Sequence, residues 1–197
     1  MRTLKKPKNG LFIGISIGGN KEFEHFCHNL RTCSTKLDKM NWVKEDLMHL
    51  SIKHIGNQDN SKMESIVQIM QDVACEINSF ELIFNKLGVF GSTYAPRILW
   101  VGIEEEPNLK LLFTNLQKSL KKMQIAPNIY SFIPHVSIAR IHKIEDKRLF
   151  FKKIEEYNKT NFAFHFKVKE IALIDANLEK IEPVYTAIAT VKLKNSF

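Results

Sequence analysis

The sequence has few cysteines and no long apolar run. Its 197 residues contain three cysteines, Cys27, Cys33 and Cys75, and no two of them form a CxxC pair. An odd number of unclustered cysteines argues against a disulfide framework and against a zinc knuckle. No apolar segment approaches the roughly 20 residues that a membrane-spanning helix needs. We therefore expect a soluble, cytoplasmic protein with reduced thiols.

The apolar run from Leu11 to Ile17 follows four basic residues within the first eight, a layout that loosely mimics a signal peptide. Gly14 interrupts this run, Gly18 and Gly19 end it, and no small-residue cleavage site follows. We interpret the run as the first strand of the fold.

The charge of the chain is biased towards basic residues. Lysine and arginine number 29 against 21 aspartate and glutamate, which gives a formal net charge of +8. Such an excess favours polyanionic partners such as nucleic acid. A chain rich in Lys, Asn, Ile and Phe is also typical of AT-rich genomes, so charge alone does not decide between the two explanations. The 44% hydrophobic content is sufficient for a real core.

Hydrophobic periodicity predicts strands and helices along the whole chain. The predicted strands are residues 11–17, 48–55, 80–90, 97–103, a strand after Pro134, 162–174 and 184–193, with another extended segment at Trp42 and Val43. The predicted helices run from Asn20 to about Leu37, from Ser61 through Ser79, from Pro107 to Met123 and from about Glu145 to Tyr157.

Local signals indicate how the first two helices begin. Asn20 is suited to N-cap the first helix, and Ser61 followed by Glu64 matches a capping box for the second. His25 and His28 lie three residues apart on the first helix. We interpret these two histidines as surface residues and not as a metal-binding pair.

Two tetrads share one pattern, HLSI at residues 49–52 and HVSI at residues 135–138. In a strand, alternation puts the histidine and serine of each tetrad on one face and its two aliphatic residues on the other. Similar elements surround both tetrads, which suggests an internal duplication. We predict an α+β fold of two pseudo-symmetric lobes, each an antiparallel-rich sheet with helices on the outer side. The chain, 1–197, is then one bilobal domain with approximate halves 1–91 and 92–197 and a groove between the lobes.

Two opposed imidazoles suit a reaction that needs a base on one side of the reacting centre and an acid on the other. In-line attack on a phosphodiester has this geometry, and serine hydroxyls can donate hydrogen bonds to the non-bridging oxygens. A serine hydrolase would need a nucleophile on a strained turn, and no G-x-S-x-G occurs. His54 and His142 lack carboxylates at metal-ligand spacing. We therefore expect acid–base catalysis without a metal or cofactor.

The tetrads and their flanks resemble the two-histidine phosphoesterase superfamily. Residues 49–56 resemble its first His-x-Thr/Ser signature and residues 134–140 its second, and the branch is similar to the RNA 2′,3′-cyclic phosphodiesterases, historically called bacterial 2′-5′ RNA ligases. Further matching segments are Leu11-Phe12-Ile13, Trp42-Val43, residues 96–100 and Pro183-Val184-Tyr185.

The resemblance implies hydrolysis of an RNA or nucleotide 2′,3′-cyclic phosphate to a 2′-phosphate. His49 would be the acid that protonates the leaving ribose oxygen, His135 the base that activates water, and Ser51 and Ser137 would hold the phosphate. RNA ends or nucleotides bearing the cyclic phosphate would be the partners, with no membrane and no obligate protein partner. Ligation of 2′-5′ RNA ends, or RNA-end binding with little turnover, stay open as alternatives.

Several positions depart from the family or need a further condition. Both motif hydroxyls are serine where threonine is commoner, and His54 stands where phenylalanine is usual, a position that can stack on a nucleobase. Arg140 matches a family arginine that would neutralise phosphate. Strict alternation puts Arg140 opposite His135, so it reaches the groove only if the strand ends or bulges after Ser137. Glu182 replaces a usual glycine before Pro183.

Overall fold

The computed structural model describes residues 9–126, 131–177 and 184–195. The strands are β1 Asn9–Ser16, β2 Lys39–Trp42, β3 His49–Gly56, β4 Phe80–Gly91, β5 Pro96–Ile103, β6 His135–Lys143, β7 Phe164–Val168, β8 Glu170–Asn177 and β9 Val184–Lys192. The helices are α1 Lys21–Asn29, α2 Met63–Ala74, α3 Pro107–Lys122 and α4 Lys147–Lys159. Short 3-10 helices lie at Leu30–Cys33, Glu45–Leu47 and Asn60–Lys62.

The nine strands of the described residues form one sheet. Eight of them follow the order β7-β4-β5-β6-β3-β1-β8-β9, and β2 pairs with β6. All the pairings between these strands are antiparallel, which confirms the predicted α+β class. The bilobal division into halves 1–91 and 92–197 stays a prediction. Strands from the two sequence halves are mixed along the order of the sheet. Strands β8 and β9 pair beside β1, whereas β4 lies between β5 and β7.

The helices cover one face of the sheet and bury its aliphatic side chains. Helix α2 contacts β8 and β9, α3 contacts β3, and α4 contacts β4. Phe23 of α1 packs on Phe84 of β4 with ring centroids 5.0 Å apart. Leu50 of β3 and Val136 of β6 are fully buried in this core. The other face of β3 and β6 is therefore free of the described helices and available for a site.

The N-termini of α1 and α2 can be compared with the N-caps that the sequence predicts. Asn20 caps α1 as predicted, because its Oδ1 accepts a hydrogen bond from the Phe23 N–H at 3.0 Å. The regular helix ends at Asn29 and continues as a 3-10 turn to Cys33, short of Leu37. The predicted capping box at Ser61 is wrong. Ser61 lies inside a 3-10 turn, and the N-cap of α2 is Lys62, without a side-chain hydrogen bond.

The predicted strand 162–174 is also wrong, because it is two strands, β7 and β8, separated by Lys169. Strand β7 pairs with β4, and β8 pairs with β1 and β9. These neighbours lie at opposite ends of the strand order, so one continuous strand cannot reach both. Glu182 and Pro183, at which the sequence departs from the resembled family, lie outside the described residues. None of the described helices is long and apolar enough to cross a membrane.

Candidate active site

The two tetrads lie on neighbouring strands in the middle of the sheet. Strands β3 and β6 run antiparallel, with Leu50 as the partner of Val136. Both of these side chains point into the core, with 0% exposure. Because side chains alternate along a strand, the residues on either side of Leu50 and Val136 lie on the opposite, helix-free face.

The register brings four polar side chains together on that face. With Leu50 opposite Val136, the antiparallel direction places His49 next to Ser137 and Ser51 next to His135. Residues that lie directly opposite each other in such a pair have Cβ atoms about 4.5–5.5 Å apart. All four side chains are half-buried. The site residues predicted from the sequence are therefore one cluster, in which each histidine lies across from the other tetrad's serine.

A β-bulge follows Ser137 and redirects Arg140. In the β5–β6 pairing, Trp100 opposes Ser137 and Leu99 opposes Ala139, so Ile138 is an extra residue. The bulge shifts the alternation by one residue. Arg140 then pairs with Ile98, two residues from Trp100, and lies on the face of His135. The condition that the sequence placed on Arg140 is met, and its contact with substrate stays a prediction.

The first tetrad has the same bulge at the same position. Gly14 of β1 opposes Ser51 and Ile13 opposes Lys53, so Ile52 is extra. His54 then pairs with Phe12 and lies on the face of Ser51. His54 and Arg140 are each five residues after a tetrad histidine, and they occupy corresponding places on the two strands.

Both tetrad histidines are held in the same tautomer. The Nδ1 atom of His49 lies 2.8 Å from the Leu47 carbonyl oxygen, and that of His135 lies 2.7 Å from the Ile133 carbonyl oxygen. A carbonyl can only accept a hydrogen bond, so each Nδ1 carries the proton and donates it. The Nε2 atom of each neutral ring is therefore left with a lone pair for chemistry.

The rings of Phe12 and Tyr185 pack against His49 and form a first aromatic wall of the site. The imidazole centroid lies 4.7 Å from the rings of both Phe12 and Tyr185. Burial lowers the pKa of His49, and the charges of His54 and His135 lower it further, against the opposing effect of the Leu47 carbonyl. His54 and His135 are thus close enough to act electrostatically on His49.

The rings of Phe90 and Trp100 lie beside His135 and form a second aromatic wall. Phe90 meets the imidazole edge-on at a centroid distance of 4.8 Å, and Trp100 lies 6.1 Å away. The Trp100 indole lies directly against Gly88, where an added Cβ would be only 2.1 Å from the ring. Burial lowers the pKa of His135, and the hydrogen bond to Ile133 opposes this shift.

His54 lies at the edge of the first aromatic wall. Its ring centroid is 6.0 Å from that of Phe12. Burial of part of the ring lowers the pKa of His54, and the charges of Lys53 and His135 lower it further. Its predicted stacking on a nucleobase is untested. His142 lies at the far end of β6, and within the described residues no group of three His, Cys, Asp or Glu side chains could hold a metal ion.

The sequence reasoning missed the residues that position the two imidazoles. Phe12, Phe90, Trp100 and Tyr185 were not assigned a role in the site. A signal existed for three of them, since Phe12, Trp100 and Tyr185 fall in segments that match the resembled family. No side-chain pattern indicates the carbonyls of Leu47 and Ile133, because any residue supplies that group.

The fold and the site together define the class: an antiparallel α+β protein with a His-x-Ser pair on each of its two central strands. The sequence model of the 2′-5′ RNA ligase superfamily matches residues 22–179. This match covers most of the chain, and the protein belongs to the 2′-5′ RNA ligase superfamily.

Individual relatives agree with this assignment. The chain is 31% identical over 152 residues to the RNA 2′,3′-cyclic phosphodiesterase of Aquifex aeolicus, covering 75% of this chain and 78% of the relative. Its fold matches the TT0787 protein of Thermus thermophilus with a TM-score of 0.76 at 18% identity, over 95% of this chain and all of that chain. E. coli LigT complexed with 3′-AMP matches with a TM-score of 0.72 at 17% identity, over 95% and 99% of the two chains. These two structures support the fold.

Proposed function

We propose that this protein hydrolyses RNA or nucleotide 2′,3′-cyclic phosphates to 2′-phosphates by acid–base catalysis between His49 and His135, without a metal. The observation that carries this proposal is the Leu50–Val136 pairing, which brings both histidines and both serines to one face. Family membership and relatives named RNA 2′,3′-cyclic phosphodiesterase support the activity and the RNA substrate. The three free cysteines support a cytoplasmic location.

The reaction needs one proton removed and one supplied. His135 Nε2 accepts a proton from water as the water oxygen attacks phosphorus. The bond from phosphorus to the ribose 3′ oxygen breaks, and His49, protonated on both nitrogens, donates its Nε2 proton to that oxygen. The Nδ1 hydrogen bonds hold both rings with Nε2 as the reacting atom. Ser51 and Ser137 donate hydrogen bonds to the non-bridging oxygens, where negative charge increases.

Two further residues are assigned to substrate. Arg140 is exposed on the same face as His135, with no carboxylate partner among the described residues, and it neutralises phosphate charge. His54 lies at the corresponding place on β3 and stacks on the nucleobase. A guanidinium on one strand and an imidazole on the other would bind the phosphate and base ends of one nucleotide.

The test is incubation of an oligonucleotide ending in a 2′,3′-cyclic phosphate in EDTA, followed by identification of the ribose oxygen that keeps the phosphate. We expect a 2′-phosphate, and we expect His49→Ala and His135→Ala each to reduce kcat by about 10²- to 10⁴-fold. His25→Ala and His28→Ala, on the exposed face of α1, are matched controls and should not change kcat. Joined RNA halves would indicate ligation, and binding without turnover would indicate an RNA-end binding protein.

A further inference from the structure

A short turn directly before β3 supplies the carbonyl that orients His49. The segment Glu45–Leu47 is a 3-10 turn, closed by a hydrogen bond from the Met48 N–H to the Glu45 carbonyl at 3.2 Å. The Leu47 carbonyl accepts the hydrogen bond from Nδ1 of His49. The position of this turn therefore decides where the other ring nitrogen, Nε2, is directed.

The chain that enters this turn is anchored on the strand of the second tetrad. Strand β2 pairs with β6 beyond the part of β6 that pairs with β3, and Trp42 at the end of β2 opposes Ala139. Val43 follows, and its N–H donates a hydrogen bond to the carbonyl of the bulge residue Ile138 at 2.8 Å. The bulge in β6 thus fixes the chain two residues before the turn begins.

The Arg31 side chain joins the end of β2 to the turn. Its Nη2 atom lies 3.5 Å from Oε1 of Glu45, and its guanidinium carbon lies 5.8 Å from the centroid of the Trp42 ring. The backbone that carries Arg31 is fixed in the core, because the nearby side chains of Leu30 and Cys33 are buried. One guanidinium on a fixed backbone therefore contacts both ends of the segment that leads to the turn.

Arg31 lies on the helix-covered side of the sheet. Residues directly opposite each other in an antiparallel pair share a face. Trp42 opposes Ala139, which is fully buried on the helix-covered side, and the guanidinium lies over the Trp42 ring. The histidines and serines of the tetrads occupy the other face. An effect of Arg31 on the reaction therefore passes through the turn and not through contact with substrate.

The connection between β1 and α1 also packs against the turn. A Cβ at Gly18 would lie 3.1 Å from the Glu45 carbonyl oxygen and 3.2 Å from the Cα atom of Asp46, closer than the ordinary contact at 3.4 Å. The preceding residue, Ile17, donates its N–H to the Met48 carbonyl at 2.9 Å. Only a glycine at position 18 lets the turn lie this close to the end of β1.

The segment before His135 has a different anchor. The Ile133 carbonyl orients His135, and it belongs to a stretch without a helical turn. The neighbouring Phe132 ring stacks on Phe113 of α3, with ring centroids 4.3 Å apart. The two imidazoles are therefore oriented by separate contacts, and His135 is an internal reference for a change in the turn before β3.

We propose that Arg31 is a positioning residue for the reaction. By joining Trp42 to Glu45 it fixes the turn, and through the Leu47 carbonyl it keeps the Nε2 atom of His49 directed at the substrate. This inference rests on the proposed function, because it takes His49 as one of the two reacting groups.

The test replaces Arg31 by methionine, which keeps an unbranched stem and removes the cation. The side chains of Arg31 and Glu45 are 46% and 35% exposed, so loss of their ion pair should leave the fold intact. We expect kcat for a cyclic-phosphate oligonucleotide to fall about five- to tenfold, with KM within about twofold of wild type. Arg31→Lys retains a cation and should keep at least about half of the wild-type kcat. Arg148→Met, at an exposed position of α4, is the matched control and should not change kcat.

A second variant moves the same turn from another side. Gly18→Ala places a methyl group against the backbone of Glu45 and Asp46, and we expect kcat to fall about threefold or more. Gly10→Ala is its control, because no heavy atom lies within 4 Å of the added Cβ.

Imidazole nitrogen-15 NMR of the substrate-free protein measures the orientation directly. In Arg31→Met we expect His49 to become a mixture of the two neutral tautomers, while His135 keeps its proton on Nδ1 as in the wild type. An unchanged His49 spectrum together with an unchanged kcat would overturn the inference, and so would equal changes at both rings, which would indicate general loosening of the fold. If the wild-type protein hydrolysed no cyclic phosphate, the proposed function would fail, and the NMR comparison would still decide whether Arg31 positions His49.

Discussion

Replacing Gly88 by alanine should test whether the aromatic wall positions His135. Gly88 is the partner of Trp100 in the β4–β5 pairing. A Cβ at Gly88 would lie 2.1 Å from Cζ2 and 2.3 Å from Cη2 of the indole, whereas ordinary contact begins at 3.4 Å. The indole must therefore move by about 1.3 Å, the difference between 2.1 and 3.4 Å. Phe90 packs against both Trp100 and His135, at 5.2 and 4.8 Å, and transmits that movement to the imidazole.

The size of the effect follows from two separate costs. Overpacking of this kind destabilises a fold by about 1–3 kcal/mol. A misplacement of about 1 Å at a reacting group lowers the rate by up to about 10²-fold. We therefore expect Gly88→Ala to lose about 1–3 kcal/mol of unfolding free energy and to reduce kcat by about 10- to 100-fold.

The assay measures urea unfolding and the hydrolysis of a cyclic-phosphate oligonucleotide on the same preparation. Gly10→Ala is the matched control, because no heavy atom lies within 4 Å of its added Cβ, and it should preserve kcat. Phe150→Leu, in the core on α4, controls for lost stability. A Gly88→Ala variant that is destabilised as expected but keeps the wild-type kcat would refute the positioning role of Trp100 and Phe90.

Three further predictions concern the histidines and serines. The kcat/KM profile should be bell-shaped with its maximum below pH 6.5, because burial lowers the pKa of both His49 and His135 from their usual 6.5; a maximum above pH 7 would contradict this. Unfolding free energy should fall on acidification below about pH 6.5, because the unfolded chain binds more protons than the fold with its low-pKa His49, His54 and His135. Each of these histidines contributes at most about 1.4 kcal/mol per pH unit, and urea unfolding of His54→Asn should show a shallower slope. Ser51→Ala and Ser137→Ala should each lower kcat by about 10²-fold, and threonine at either position should restore it; equal rates for serine and alanine would exclude a phosphate contact.

The strand-length tetrads could be predicted because alternation is a local property. The patterns HLSI and HVSI predict which side chains share a face. The structure confirms that the two aliphatic residues of each tetrad are buried. The identity of the neighbouring strand, by contrast, depends on residues far away in the sequence. Nothing near Leu50 specifies Val136 as its neighbour, and the sequence supplied this pairing only through the assumption of a pseudo-twofold.

The bulges and the aromatic walls lay beyond the sequence for a related reason. Whether Ile138 is an ordinary strand residue or an extra one depends on the register of β5, and the face of Arg140 depends on that choice. Phe12, Phe90 and Tyr185 come from three strands far apart in the chain, so only the folded sheet brings them to the imidazoles. The break at Lys169 was missed because β7 and β8 are both strand-like, and only their different neighbours separate them.

The central claim is that His49 and His135 bind one phosphate between their Nε2 atoms, and imidazole nitrogen-15 NMR during titration with a nucleoside 2′-monophosphate tests it most directly. In the free protein at pH 7.5 we predict the Nδ1-protonated tautomer for both rings, since each Nδ1 donates to a carbonyl. On titration, both Nε2 signals should shift along one curve with one Kd. Different Kd values for the two rings, or a ring whose Nε2 does not respond, would contradict a shared site.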